Sequence, residues 1–185
     1  MRFDTLLKGG HLIDPKNNVN APMDLAITDG KIAAIDQDIP ANQAQQVLDV
    51  TGLYITPGLV DIHTHMYATP GWANAWAGDN SILPDGFSFR SGVTTMVDTG
   101  SAGWRTFPDF RERVLTRFQT RMYAFLNIAS MGMVSTDLEQ NVSDMDVEHT
   151  AAVMKEHSDF VVGSKTAHFK SPDWVSTDRA LASGQ

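Results

Sequence analysis

Thr56-Pro57-Gly58-Leu59-Val60-Asp61-Ile62-His63-Thr64-His65 is the stretch from which the rest of the chain is read. Pro57 and Gly58 form a breaker pair, so one segment ends there and another begins. Leu59 to Thr64 is short, apolar and β-branched, the composition of a buried strand. Side chains alternate along a strand, which places Leu59, Asp61, His63 and His65 on one face and Val60, Ile62 and Thr64 on the other. The first face turns polar toward its C-terminal end and finishes in two imidazoles. Imidazole is the commonest side-chain metal ligand near neutral pH, and two of them at i and i+2 can reach one ion. A His-x-His pair read alone is equally a pair of surface or turn histidines.

Downstream of Gly58 the pattern alternates strand and helix. Strands are expected at Leu59–His65, Gly92–Asp98, Met122–Ile128 and Phe160–Lys165. Helices are expected at Asp85–Ser91, Phe107–Thr120, Asp146–Ser158 and from Thr177. Phe110, Val114, Leu115 and Phe118 share one face of the second helix. Met66 to Pro84 carries Trp72, Trp76, Asp79 and Asn80 without periodicity, and a loop of that length is usually a lid or binding loop. Four buried strands about thirty residues apart make the rhythm of βαβ units and a parallel sheet. The fold class is therefore α/β, with about four units of a (β/α)8 barrel, half of what ~250 residues would hold. Residues 1–57 read differently, as short strands with an Asp29-Gly30 hairpin signal, and are expected to form a small, incomplete β-sandwich segment. Residues 58–185 are then the first half of the barrel.

In such barrels the reactive groups sit at the C-terminal ends of strands. Those ends carry His63 and His65, Asp98, Asn127 and Lys165. Parity places Val161, Gly163 and Lys165 on one face, with Gly163 leaving room beside the lysine. By residue type alone Lys165 reads as an amine snorkelling to solvent or paired with a carboxylate. Asp61 either supports a ligand histidine or fills a polar layer. His149, His157 and His168 are weaker candidates; two fall in a helix and the third follows Lys165 by three.

Composition narrows the classes. Hydrophobic residues make up 42% and charged residues 19% of the 185-residue chain, which argues against disorder. A net charge of −8 disfavours nucleic acid and anionic membranes as partners. The absence of cysteine removes disulfides, thiolate nucleophiles and cysteine zinc sites, and suits a cytoplasmic protein. No stretch has the length of a signal peptide core or a membrane span.

The Pro-Gly-x-x-Asp-x-His-x-His segment resembles the first barrel strand of the amidohydrolase superfamily of metal-dependent hydrolases. Ser91–Gly103, Ala124–Ile128 and Gly163–His168 narrow the likeness to its dihydroorotase-like amidohydrolase/deacetylase branch. The resemblance implies that His63 and His65 bind metal. It implies that Lys165, carboxylated by CO2, bridges two divalent ions, with zinc as the default. A bridging hydroxide would attack a metal-polarised carbonyl, and an aspartate from strand eight would move the proton. That aspartate and two further histidines are expected beyond Gln185, so the chain is expected to be an N-terminal part, inactive alone. His168 and Asn127 are candidates for substrate binding. The implied activity is hydrolysis of amide or ester bonds in small acylated compounds such as N-acyl amino acids or acyl hydroxy acids. Cyclic-amide hydrolysis is the alternative; the lack of an arginine soon after His65 favours the first. A half-barrel without catalysis is the remaining class. The expected partners are a small-molecule substrate and, for the full-length protein, other copies of itself.

Overall fold

The structure is a computed structural model that describes residues 2–72 and 80–185. Trp76 and Asp79 of the long loop lie outside the described residues. The chain divides into two compact units, Met1–Pro57 and Gly58–Gln185.

The first unit is one five-stranded sheet. Its strands are β1 (Phe3–Asp14), β2 (Val19–Thr28), β3 (Lys31–Asp36), β4 (Ala44–Asp49) and β5 (Tyr54–Ile55). The order is β3-β2-β1-β4, with β5 also paired to β1. A second, facing sheet is not found among the described residues, so the sandwich expected of residues 1–57 is not shown. The β2–β3 hairpin turns at Asp29 and Gly30, both with positive φ (52° and 69°), the geometry that an Asp-Gly pair supplies at least cost. Thr5–Leu7 and His11–Ile13 lie in one strand, with a register shift between Leu7 and Gly10. The amide of Gly9 leaves the ladder and donates to the buried carboxylate of Asp24 at 2.8 Å, so the glycine pair bulges the strand instead of ending it. Phe3, Leu6, Ala26, Ile39 and Ala44 form the core of this unit.

The second unit carries the parallel sheet. Strands β6 (Leu59–Thr64), β7 (Val93–Gly103), β8 (Arg121–Asn127) and β9 (Val161–Lys165) pair in that order, all parallel. Helix α1 (Pro84–Ser91) precedes β7. Helix α2 (Phe107–Phe110) precedes β8 and runs on as a π-helical turn over Arg111–Leu115. Helix α3 (Val147–Glu156) precedes β9 and α4 (Val175–Ser183) follows it. The expected Phe107–Thr120 helix thus stops at Leu115. Phe110, Val114 and Leu115 nonetheless join Met96, Met122, Ala124, Leu126 and Val161 in one core, with Phe118 packed against it. This apolar layer fixes the sheet to its helices; β6 lies outside it, with Leu59, Val60 and Ile62 each more than half exposed, so the buried strand expected at Leu59–Thr64 is corrected to an exposed one. No helix among the described residues is long and apolar enough to cross a membrane.

Candidate active site

The end of β6 is held from β7. Asp98 is completely buried, and its carboxylate accepts from the backbone amides of Met66 and Ser101, both at 2.8 Å. Burial pushes its pKa up to about 6, against the pull of these amides and that of Gly100. Asp98 therefore fastens the chain just after His65 to the backbone of β7 at Ser101. β7 itself continues five residues beyond it, to Gly103. Ser101, also fully buried, brings its hydroxyl to 2.9 Å from Nδ1 of His65. Thr99 Oγ1 donates to the carbonyl of Thr64 at 3.2 Å and lies 3.5 Å from His65 Nε2. Burial, reinforced by the nearby charges of His63, Lys165 and His168, lowers the His65 pKa to about 4. The imidazole is thus neutral at neutral pH, the form that binds metal. The His63 and His65 rings lie 5.8 Å apart, nearly perpendicular at 76°. Asp61 accepts from the backbone amide of His63 at 3.0 Å, supporting the strand where its pairing with β7 shifts register.

β8 and β9 bring Asn127 and Lys165 side by side. Asn127 pairs with Lys165 and Phe125 with Gly163, whereas Val161 pairs with Ala124. A register shift between these pairs puts Val161 in the apolar core, so Val161 does not share a face with Lys165. Gly163 makes room for the Phe125 ring, which a Cβ there would approach to 2.9 Å, and not for the lysine. The space for Lys165 comes from Gly100. A Cβ on Gly100 would stand 2.5 Å from Lys165 Cγ, and the glycine holds a φ of +88° that other residues rarely adopt. Asn127 is buried, donates to the Gly100 carbonyl at 3.1 Å and accepts from the Ala129 amide at 3.0 Å. Both side-chain ends are thus used within the protein, which makes Asn127 a brace between β7 and β8.

His168 lies just past β9. Its Nδ1 is 2.8 Å from Oε2 of Glu139, a residue 2% exposed in the turn Leu138–Gln140. Burial raises the Glu139 carboxyl, opposed by His168, Asn127 and the charge of Lys165. Glu139 escaped the sequence reading because its partner is 29 residues away and no periodicity marks its turn. Ser101 escaped because the expected strand stops at Asp98, whereas β7 runs on to Gly103. His149 stacks on Trp104, and His157 is buried against Phe107, so neither reaches the strand ends by these contacts.

The parallel register therefore gathers His63, His65 and Lys165 at the same end of the sheet. Their donor set fits part of a metal centre. His65 directs Nδ1 to Ser101, and Gly100 cradles the lysine stem. No group of three or more His, Cys, Asp or Glu among the described residues is placed to hold an ion.

No protein-family model matches the chain. Curated relatives do. A deacetylase of Agrobacterium fabrum is 35% identical over 153 residues, 79% of this chain and 35% of its own length. An allantoinase of Escherichia coli is 39% identical over 101 residues, 53% of this chain and 20% of its own length. A solved dihydroorotase superposes with a TM-score of 0.78 at 28% identity, covering 97% of this chain and 48% of that one. With the parallel sheet and the His-x-His strand end, these likenesses place the chain in the amidohydrolase superfamily, as an N-terminal part of its TIM-barrel fold. The chain spans about a third of the length of the deacetylase and about half of the dihydroorotase.

Proposed function

We propose that this chain supplies the first-strand and fourth-strand metal ligands of a metal-dependent hydrolase. Its substrates are small acylated compounds, N-acyl amino acids or acyl hydroxy acids, cleaved at an amide or ester bond. The observation that carries the reading is the pairing of a neutral His65, oriented by Ser101, with Lys165 seated beside Gly100 at the same sheet end. His63 and His65 would hold one divalent ion, zinc by default. Lys165 would join as its carbamate: the neutral amine adds to CO2, one proton leaves to solvent, and an anionic oxygen replaces a cation. When bound, the metal supplies Lewis acidity and lowers the pKa of water at the site. Asp98 and Ser101 keep His65 in one orientation and Asn127 braces the strands on either side of Gly100. The deacetylase relative supports this substrate class. The allantoinase and dihydroorotase likenesses favour a second reading, hydrolysis of a cyclic amide.

Zinc titration of the chain and of His63→Ala, His65→Ala and Lys165→Ala tests the ligand assignment. Each replacement is expected to weaken zinc binding at least tenfold. Uptake unchanged in all three would overturn it. For the whole protein, turnover of N-acetyl amino acids with none of dihydroorotate or allantoin supports the first substrate class; the converse selects the second.

A further inference from the structure

A cleft of about 310 Å³ opens from the apolar core of the second unit, between the segment that enters α1 and the π-helical turn that continues α2. Met66, Ile82, Val114 and Phe118 wall it, all of them in that core or packed against it. Leu83, largely exposed, lines its open side. Arg113 is the only cation among the lining residues. A cleft of this size, mostly apolar with one placed charge, has the make-up of a small-molecule site.

The cation is held from behind. Tyr67 is buried, and its phenol donates to Asp109 Oδ2 at 2.8 Å. Burial and the Asp109 carboxylate raise the pKa of that phenol, so it stays a donor. Asp109 Oδ1 in turn accepts from Arg113 Nε at 2.6 Å. Both carboxylate oxygens are thus engaged, and the guanidinium is fixed through its Nε side. Its Nη groups make no hydrogen bond among the described residues. That leaves a planar pair of donors at the end of the guanidinium, the shape that a carboxylate matches with two parallel bonds. An i,i+4 pair serving only the helix surface would need no buried tyrosine behind it. The backbone adds an independent observation. The Thr116 amide donates to the Arg111 carbonyl five residues back, at 3.2 Å, so Arg113 and Val114 reach the cleft from a π turn, a geometry that recurs at functional sites.

We infer that this cleft binds a small carboxylate with an apolar body, the charge on the Arg113 Nη groups and an aryl or branched alkyl part against Met66, Ile82 and Phe118. A multiply charged anion such as phosphate would meet one cation and apolar walls.

The site needs no metal, so the test uses the zinc-free 185-residue chain, with 13C in the methionine methyl groups, at pH 7.5. The Met66 signal, assigned with Met66→Leu, is followed during titration with phenylacetate, phenylacetamide and acetate. Phenylacetate should shift Met66 and leave Met23, on β2 of the first unit, unmoved. Phenylacetamide keeps the ring without the charge, and acetate keeps the charge without the ring; each should need about tenfold more to shift Met66. Arg113→Gln should weaken phenylacetate binding by a similar factor. Leu83→Glu, which leaves the Asp109–Arg113 pair in place and sets a negative charge on the open side, should do the same. Circular dichroism confirms the fold of each variant. A Met66 signal unmoved by phenylacetate, an equal response to phenylacetamide or to acetate, or binding unchanged in both variants would overturn the inference.

Discussion

Replacing Ser101 by Ala removes one oxygen from the site and nothing else. That oxygen is fully buried and 2.9 Å from His65 Nδ1. The serine amide still reaches Asp98, because that bond uses the backbone. The loss is therefore confined to the orientation and tautomer of one imidazole. A hydrogen bond of this kind is worth about 1 kcal/mol net. Loss of an outer partner of a ligand histidine typically weakens metal binding about 10- to 100-fold. The half-buried ring can recover part of the bond from solvent, so the expectation is the lower end, about tenfold or ~1.4 kcal/mol. The assay is zinc competition against a chromophoric chelator at pH 7.5, with circular dichroism to confirm folding. Ser88→Ala is the control, since Ser88 is equally buried but bonds to Thr120 on the side of α1. Zinc affinity of Ser101→Ala within twofold of wild type would refute the orienting role. Equal weakening by Ser88→Ala would show that the effect is not local.

Asp98→Asn should destabilise the chain by about 1–3 kcal/mol, because an amide cannot accept from both Met66 and Ser101 and one buried donor loses its partner. Urea unfolding measures it. The same variant isolates a pH effect. Asp98 has its pKa raised from 3.8 to about 6, so between these values the folded state holds a proton that the unfolded state has released, and stability falls as pH rises through the window. His65, lowered from 6.5 to about 4, acts in the opposite sense over nearly the same range. The difference between wild type and Asp98→Asn should therefore narrow as pH rises from about 4 to 6, if the charged carboxylate is the costly form; a difference independent of pH would contradict the burial argument. Gly100→Ala should both lower the melting temperature and weaken zinc binding, since a Cβ there meets Lys165 Cγ at 2.5 Å in a left-handed conformation. Unchanged zinc binding would separate the lysine from the site. Asp24→Ala should destabilise the first unit by about 2 kcal/mol or more, because the amides of Gly9 and Ile39 and the amine of Lys8 all donate to that buried carboxylate. Urea unfolding followed by hydrogen exchange of those two amides would check it.

The βα rhythm after Gly58 was legible because short apolar strands and amphipathic helices differ in period; burial was misjudged at the first strand, whose Leu59, Val60 and Ile62 are exposed. The end-of-strand positions of His63, His65 and Lys165 follow from that rhythm alone. What strict alternation missed were the bulges. Gly9 and Gly10 read as a strand end, yet Asp24, fourteen residues beyond Gly10, captures the Gly9 amide and keeps the strand continuous. The shift between Ala124 and Phe125 moved Val161 into the core and handed the space at Gly163 to Phe125. Gly100 and Ser101, beyond the expected strand end at Asp98, lie inside an eleven-residue strand whose backbone the Asp98 carboxylate holds at Ser101. Glu139 was invisible for a related reason: its role depends on a contact that only tertiary structure creates. Local pattern found the strands and their reactive ends, and long-range hydrogen bonds decided which neighbours serve them.

The most direct test of the account is a crystal structure of the chain grown with zinc and bicarbonate, with anomalous diffraction at the zinc edge. The account predicts a zinc peak about 2.0–2.1 Å from an imidazole nitrogen of both His63 and His65, with added density for a carboxyl group on Lys165 Nζ directed at the metal. Zinc bound elsewhere, or a zinc-free site with Lys165 turned away from both histidines, would contradict it.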